Sequence, residues 1–164
     1  MTGLERLWAG WRRPYLDDVT TAEPGDCVFC RILADDDGGG QVVHRDASTA
    51  VLLNAYPYTS GHLLVMPVRH VGELEDLSAD EGSAVWAALT SSVRALKAAY
   101  RPDGLNVGVN LGRPAGAGVP GHFHVHALPR WNGDTNFMTT VAEARVLPES
   151  LPDTYAKVSA AWPT

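Results

Sequence analysis

Three of the chain's six histidines stand at alternate positions in the run His122-Phe123-His124-Val125-His126-Ala127-Leu128. On a β-strand alternate side chains share a face, so this pattern turns three imidazoles one way and sends Phe123, Val125 and Ala127 toward a core. At a rise of about 3.3 Å per residue, neighbouring imidazoles start about 6.6 Å apart and the outer pair twice that, too far to share one ion. Two chemistries remain open: a His-x-His pair holding a metal, or a row in which each ring has its own task. A neutral imidazole is a competent nucleophile near pH 7 when its second nitrogen is engaged. The segment before the run, Asn110-Leu111-Gly112-Arg113-Pro114-Ala115-Gly116-Ala117-Gly118, is rich in glycine. Its amides can approach an anion closely and Arg113 can neutralise one, which makes it a candidate phosphate cradle. A second cluster is Cys27-Val28-Phe29-Cys30. No βαβ pattern of the thioredoxin kind surrounds it, which leaves metal ligation or two reduced thiols packed with Phe29.

These groups need a scaffold. Residues 41–45, 49–53 and 61–67 read as strands, separated by Asp46 and Ser48 and by the turn around Pro57 and Gly61. Ser78-Ala79-Asp80-Glu81 fits a capping box, and the helix it opens presents Val85, Trp86, Leu89, Val93, Leu96 and Tyr100 on one face before Pro102. Leu105, Val107, Val109 and Leu111 alternate with Asn106, Gly108 and Asn110, as a half-buried strand does. Residues 112–121 form a loop, and residues 122–128 the last strand. Leu4, Leu7, Trp8 and Trp11 give an N-terminal helix over residues 4–12, and residues 148–162 a weakly patterned, partly helical tail. The expectation is one α+β domain over residues 1–164, core 27–137, an antiparallel sheet of about five strands with helices packed on one face.

The 164 residues are 45% apolar and 20% charged, an ordinary globular balance. The net charge of −6 argues against a protein that coats nucleic acid, while leaving room for a locally positive pocket. No run approaches the ~18 apolar residues of a membrane span. With no secretory leader visible and only two cysteines, a cytoplasmic location is expected.

The run from His122 to Leu128 matches the His-φ-His-φ-His-φ-φ motif of the histidine-triad family, where φ is apolar. Gly61-His62-Leu63-Leu64-Val65-Met66-Pro67 with His70, the segment Gly104 to Asn110, and Pro129-Arg130-Trp131 extend the likeness over residues 27–137. Leu4-Glu5-Arg6-Leu7-Trp8 and the residues from Pro129 to Phe137 resemble the bacterial branch of diadenosine-tetraphosphate phosphorylases and hydrolases. The resemblance implies cleavage of dinucleoside polyphosphates through a covalent nucleotidyl-histidine on His124. The carbonyl of His122 would fix the tautomer of His124, His126 would hold α-phosphate oxygens, and His62 would stand behind the triad. Asn54 matches a ribose-binding position, and Asn110 and the amides of Gly118 and Val119 would sit beside the phosphate, with Arg113 near. The resemblance also implies a structural zinc on Cys27, Cys30, His70 and His122, and a homodimer. Two other activities fit the same motif: a nucleoside phosphoramidase, and a zinc-stabilised nucleotide-binding module. One departure stands out. Where many hydrolase relatives carry Gln followed by Ser or Thr, this chain has Ala117, Gly118, Val119 and Pro120, which leaves orthophosphate open as the second acceptor.

Overall fold

The computed structural model describes residues 27–35, 40–134 and 147–163. Its elements run α1 (Val28–Ala34), β1 (Val42–Arg45), β2 (Thr49–Leu53), β3 (Leu63–Pro67), α2 (Ala79–Tyr100), β4 (Gly104–Val109), β5 (Val125–Arg130) and α3 (Leu151–Ala160), with short 3-10 turns at Leu74–Asp76 and Arg113–Ala115. The five strands form one antiparallel sheet in the order β1-β2-β3-β5-β4. This is the α+β architecture that the alternating runs predict. The expected helix over residues 4–12 lies outside the described residues, as do residues 135–137 of the expected core.

The central strands β2 and β3 are buried on both faces, and their alternate residues feed two separate cores. Val51, Leu53, Leu63 and Val65 join Phe123, Val125 and Ala127 under Val85, Leu89 and Leu96 of α2 and Val158 of α3. Ala50, Leu52, Leu64 and Met66 face the other way, against Phe29 and Leu33 of α1. Each fully buried aliphatic side chain contributes roughly 1.5–3 kcal/mol, so neither face is idle. Helices therefore cover both faces, which corrects the expectation of one. The seven-residue α1 is too short to announce itself by periodicity, and Phe29 and Leu33, one turn apart, are what press it onto the sheet.

The long helix starts where the capping box places it. Ser78 Oγ accepts from Glu81 N–H, Glu81 accepts from Ser78 N–H, and Arg69 donates twice to the same carboxylate. Such a box contributes about 1 kcal/mol. The helix ends at Arg101, which takes the left-handed conformation at φ 46° just before Pro102. Gly61, at φ +80°, turns the chain into β3; a Cβ there would meet Tyr100 at 2.8 Å.

Three strand and helix readings are corrected. Trp86 is 69% exposed rather than on the buried face of α2. Val107, Val109 and Leu111 are exposed rather than half-buried, because β4 is the sheet's edge strand and α2 does not reach over it. The last strand begins at Val125, not His122, since the preceding turn ends with His122 N–H donating to Val119 O at 3.3 Å. Among the described residues no helix is long and apolar enough to cross a membrane. His44 is half-buried, its ring stacked on Trp162 with centroids 4.8 Å apart and planes nearly parallel. Trp131 meets Tyr100 edge-on at 6.0 Å.

Candidate active site

Strand β5 pairs with β3 so that His126 lies opposite Leu64, on the sheet face covered by α1. His124 stands one position before β5, and its ring centroid is 5.0 Å from that of His126. His122 leaves the expected row. It precedes the strand, its ring is fully buried, and it serves the cysteines instead of lining the row.

The hydrogen bonds assign every proton of the remaining rings. The Nδ1–H of His124 donates to the carbonyl of His122 at 2.7 Å, which leaves the Nε2 lone pair as the nucleophilic position. His62, almost wholly buried, accepts at Nδ1 from the Tyr58 N–H at 3.1 Å and from Asn54 Nδ2 at 3.3 Å. Asn54 is oriented for this because its Oδ1 accepts from Tyr56 N–H at 2.9 Å. With Nδ1 accepting, His62 must donate from Nε2, and it does so to His126 Nδ1 at 2.9 Å. The proton of His126 is thereby placed on Nε2, a buried atom with no hydrogen-bond partner among the described residues. Leaving a buried donor unpaired costs about 1–3 kcal/mol, which an anionic oxygen there would recover.

Electrostatics keep both rings neutral. Burial pulls His124 below the ordinary histidine range, against the raising effect of the His122 carbonyl. Burial, with the charge of His124 second, pulls His126 down to about 4. Burial thus favours the neutral form of both rings, and a neutral imidazole with a free Nε2 lone pair beside a neutral N–H donor suits attack on a phosphorus centre, where positioning and charge stabilisation do most of the work.

The remaining candidate residues lie at the end of β4 and in the glycine loop that follows it. Val109 pairs with Val125 at the end of the ladder, and Asn110 and His124 are the next residues beyond it on the two segments. The Asn110 side chain donates to Gly116 O at 3.3 Å and so ties down the glycine loop. Gly112 and Gly116, at φ 75° and 99°, supply the left-handed turns that bound the 3-10 turn at Arg113–Ala115. Gly118 and Val119 are half-buried, and Val119 packs on the α1 side of the sheet. Arg113 opens the 3-10 turn, and its carbonyl accepts from Gly116 N–H at 2.9 Å.

The cysteines belong to a second constellation. One ligand atom from each of Cys27, Cys30, His70 and His122 lies within 4.8 Å of the others. His122 donates from Nε2 to Pro67 O at 2.9 Å, which turns a bare Nδ1 toward Cys27 Sγ at 3.4 Å and Cys30 Sγ at 3.6 Å. His70 Nδ1 is 3.3 Å from Cys30 Sγ. A tetrahedral zinc with bonds of 2.3 Å to sulfur and 2.0–2.1 Å to nitrogen would hold such atoms about 3.6 Å apart. The donor set fits a metal ion, with its second-sphere acceptor in place at Pro67. Burial and the neighbouring Cys27 thiol push the Cys30 thiol up.

Two contributors carry no sequence signal. Tyr58 supplies a backbone donor to His62 and a ring 4.6 Å from it; only the folded turn brings them together. Phe29, read as packing, has its ring 5.2 Å from that of His124.

The HIT domain model matches residues 38–133. An AP-4-A phosphorylase of Mycobacterium tuberculosis is 40% identical over 97% of this chain and 85% of its own length. An asymmetrical bis(5'-nucleosyl)-tetraphosphatase of Schizosaccharomyces pombe is 33% identical over 58% of this chain and 52% of its own. Among solved structures, a zinc-bound histidine triad family protein of Mycobacterium smegmatis superposes with a TM-score of 0.68 at 27% identity, covering 85% of this chain and 94% of that one.

Proposed function

From the premise that this chain belongs to the HIT domain family, we propose that it is a single-domain enzyme cleaving dinucleoside polyphosphates through a covalent nucleotidyl-His124. The observation that carries the reading is the fixed tautomer of His124, with Nδ1–H on the His122 carbonyl at 2.7 Å and Nε2 left to attack. In the first step a bond forms between His124 Nε2 and the α-phosphorus, and the anhydride P–O bond breaks. The remaining nucleoside polyphosphate leaves as an anion, which needs little protonation. His124 becomes a nucleotidylated imidazolium whose Nδ1–H still donates to His122 O. His126 Nε2–H donates to a phosphate oxygen as charge builds there, its orientation held by His62, Tyr58 and Asn54. Asn110 and the amides of Gly118 and Val119 border the phosphate, Asn54 the ribose, and Arg113 the far side of the loop.

In the second step an acceptor oxygen attacks the same phosphorus and the P–N bond breaks, which regenerates neutral His124. Phosphorolysis is favoured over hydrolysis by the small residues at Ala117, Gly118 and Val119, which leave space for a second anion, and by the likeness to an AP-4-A phosphorylase. With diadenosine tetraphosphate and labelled orthophosphate, the expected products are ATP and labelled ADP, at a rate that rises with orthophosphate. AMP with no label in ADP would show that water is the acceptor.

Cys27, Cys30, His70 and His122 are proposed to hold a structural zinc, a closed four-ligand site with no position left for substrate. Ligand thiols of this kind suit the reducing cytoplasm. The chain is further proposed to work as a homodimer. Val107 and Val109 share the face of Val125 and Ala127 that α2 covers further in, yet β4 leaves them exposed at the sheet edge. An uncovered apolar edge strand invites pairing with a second copy. Sedimentation should return a dimer at micromolar concentration and a monomer for Val107→Lys; a monomeric parent protein would remove this proposal.

A further inference from the structure

The four ligands of the metal cluster and the nucleophile are joined twice, and only one of the two joints is a hydrogen bond. The first runs through His122, whose ring faces the cysteines and whose carbonyl accepts from His124 Nδ1–H. The second runs through Phe29, which sits in sequence between the two cysteine ligands. Its ring is buried and meets both histidines edge-to-face, His122 at 5.7 Å with planes 84° apart and His124 at 5.2 Å with planes 71° apart.

A single hydrogen bond at Nδ1 pins one corner of an imidazole but leaves its plane free to tilt about that corner. Attack at phosphorus needs the Nε2 lone pair aimed along the breaking bond, and misplacement by about 1 Å can cost 100-fold in rate. Among the described residues, the aromatic rings that meet His124 and can hold its plane are His126 at 5.0 Å and Phe29 at 5.2 Å. Phe29 is itself well anchored. Leu33, one turn on, packs with it on Leu52, Leu64 and Met66, and the thiols on either side belong to the ligand cluster. An aromatic edge against an aromatic face prefers one relative orientation, which an aliphatic side chain of similar size does not impose.

We infer that Phe29 is a positioning residue, which sets the plane of the His124 ring and couples the cysteine ligand cluster to the nucleophile. The inference rests on the reading of His124 as the nucleophile. It places a catalytic demand on a residue whose burial alone would mark it as core.

The test compares Phe29→Leu and Phe29→Tyr with the parent protein. The readouts are kcat and KM for diadenosine tetraphosphate, bound zinc per chain, and the ¹⁵N-edited imidazole spectrum. Phe29→Leu is expected to retain zinc and to lose about 10-fold in kcat, with KM changed by less than about 3-fold. Its His124 Nδ1–H resonance should broaden as the ring samples other planes. Phe29→Tyr keeps the aromatic edge and should recover most of kcat. Three results would overturn the inference: kcat unchanged in zinc-replete Phe29→Leu, a rise in KM alone, which would make Phe29 part of the substrate wall, or a loss of kcat that tracks loss of zinc. Equal losses in the Leu and Tyr variants would do the same, whether or not Phe29→Leu folds as well as the parent. A His124→Ala control separates the two readings. If it is active, the nucleophile assignment fails; if it is inert and Phe29→Leu is normal, only this inference does.

Discussion

His124→Ala should lower the turnover of diadenosine tetraphosphate by about 10⁴-fold or more, because loss of a covalent nucleophile removes the whole two-step path. The fold should survive at a cost. His124 is buried, not exposed on a strand face, so truncation leaves a small cavity and is expected to cost about 1–3 kcal/mol. For a domain of this size that corresponds to a fall in Tm of roughly 2–12 °C. His124→Asn tests the chemistry more cleanly. Its side-chain amide can still donate to the His122 carbonyl, which replaces the 2.7 Å bond of the imidazole, yet it offers no nucleophilic nitrogen. The Asn variant should therefore be nearly as stable as the parent and as inactive as the Ala variant. Rapid quenching with labelled substrate should trap a nucleotidylated protein from the parent and none from either variant. Turnover by His124→Asn within about 10-fold of the parent would exclude a covalent histidine intermediate.

Much of the fold that carries the candidate site is legible in the sequence, and the legible part shares one property: it is local in sequence. The capping box at Ser78 and Glu81, and the short apolar runs Thr49–Leu53 and Leu63–Pro67 bounded by turn residues, each specify their element within a few residues. What sequence left open depends on partners that only the fold brings near. His122 reads as one of three equivalent rings because residues 122–127 alternate perfectly. Its departure from the row follows from the turn closed at Val119 and from Pro67, 55 positions away, which takes its Nε2–H. The exposure of Val107 and Trp86 was equally hidden. An apolar residue on an alternating strand is buried only if a neighbour covers it, and periodicity does not tell which strand lies at the edge. The role of α1 was lost for a third reason. Seven residues give less than two turns, too few for a helical period to stand out from a short apolar run. Only its attachment to the face of Leu52, Leu64 and Met66 places Phe29 and the cysteines over the histidines.

The purified protein should contain about one zinc per chain, and Cys27→Ser with Cys30→Ser should lose it. The fold already gathers the four ligand atoms within 4.8 Å of one another, so the ion binds the folded chain far better than the unfolded one, and its binding free energy adds to stability. At free zinc 1,000-fold above Kd the gain is about 4 kcal/mol, or roughly 8–16 °C in Tm for a chain of this size. The ligands must shed protons to bind, and burial beside Cys27 holds the Cys30 thiol in its protonated form more firmly than usual. Metal uptake should therefore release protons, and affinity should fall as the pH is lowered. Activity is the more telling readout. Removing the ion takes away one of two holds on the ring of His122, the other being Pro67 O, without touching the nucleophile itself, which the His122 carbonyl positions. Loss of such an outer support typically costs 10–100-fold, so the double Cys variant should retain turnover far above that of His124→Ala. The two effects part on adding zinc back to chelated parent protein: Tm and kcat should recover together, whereas the Cys variant should recover neither. A metal-free preparation with an unchanged Tm and full activity would show that Cys27 and Cys30 are simply buried thiols. In that case the hold on His124 would have to come from the sheet and the turn at Val119 alone.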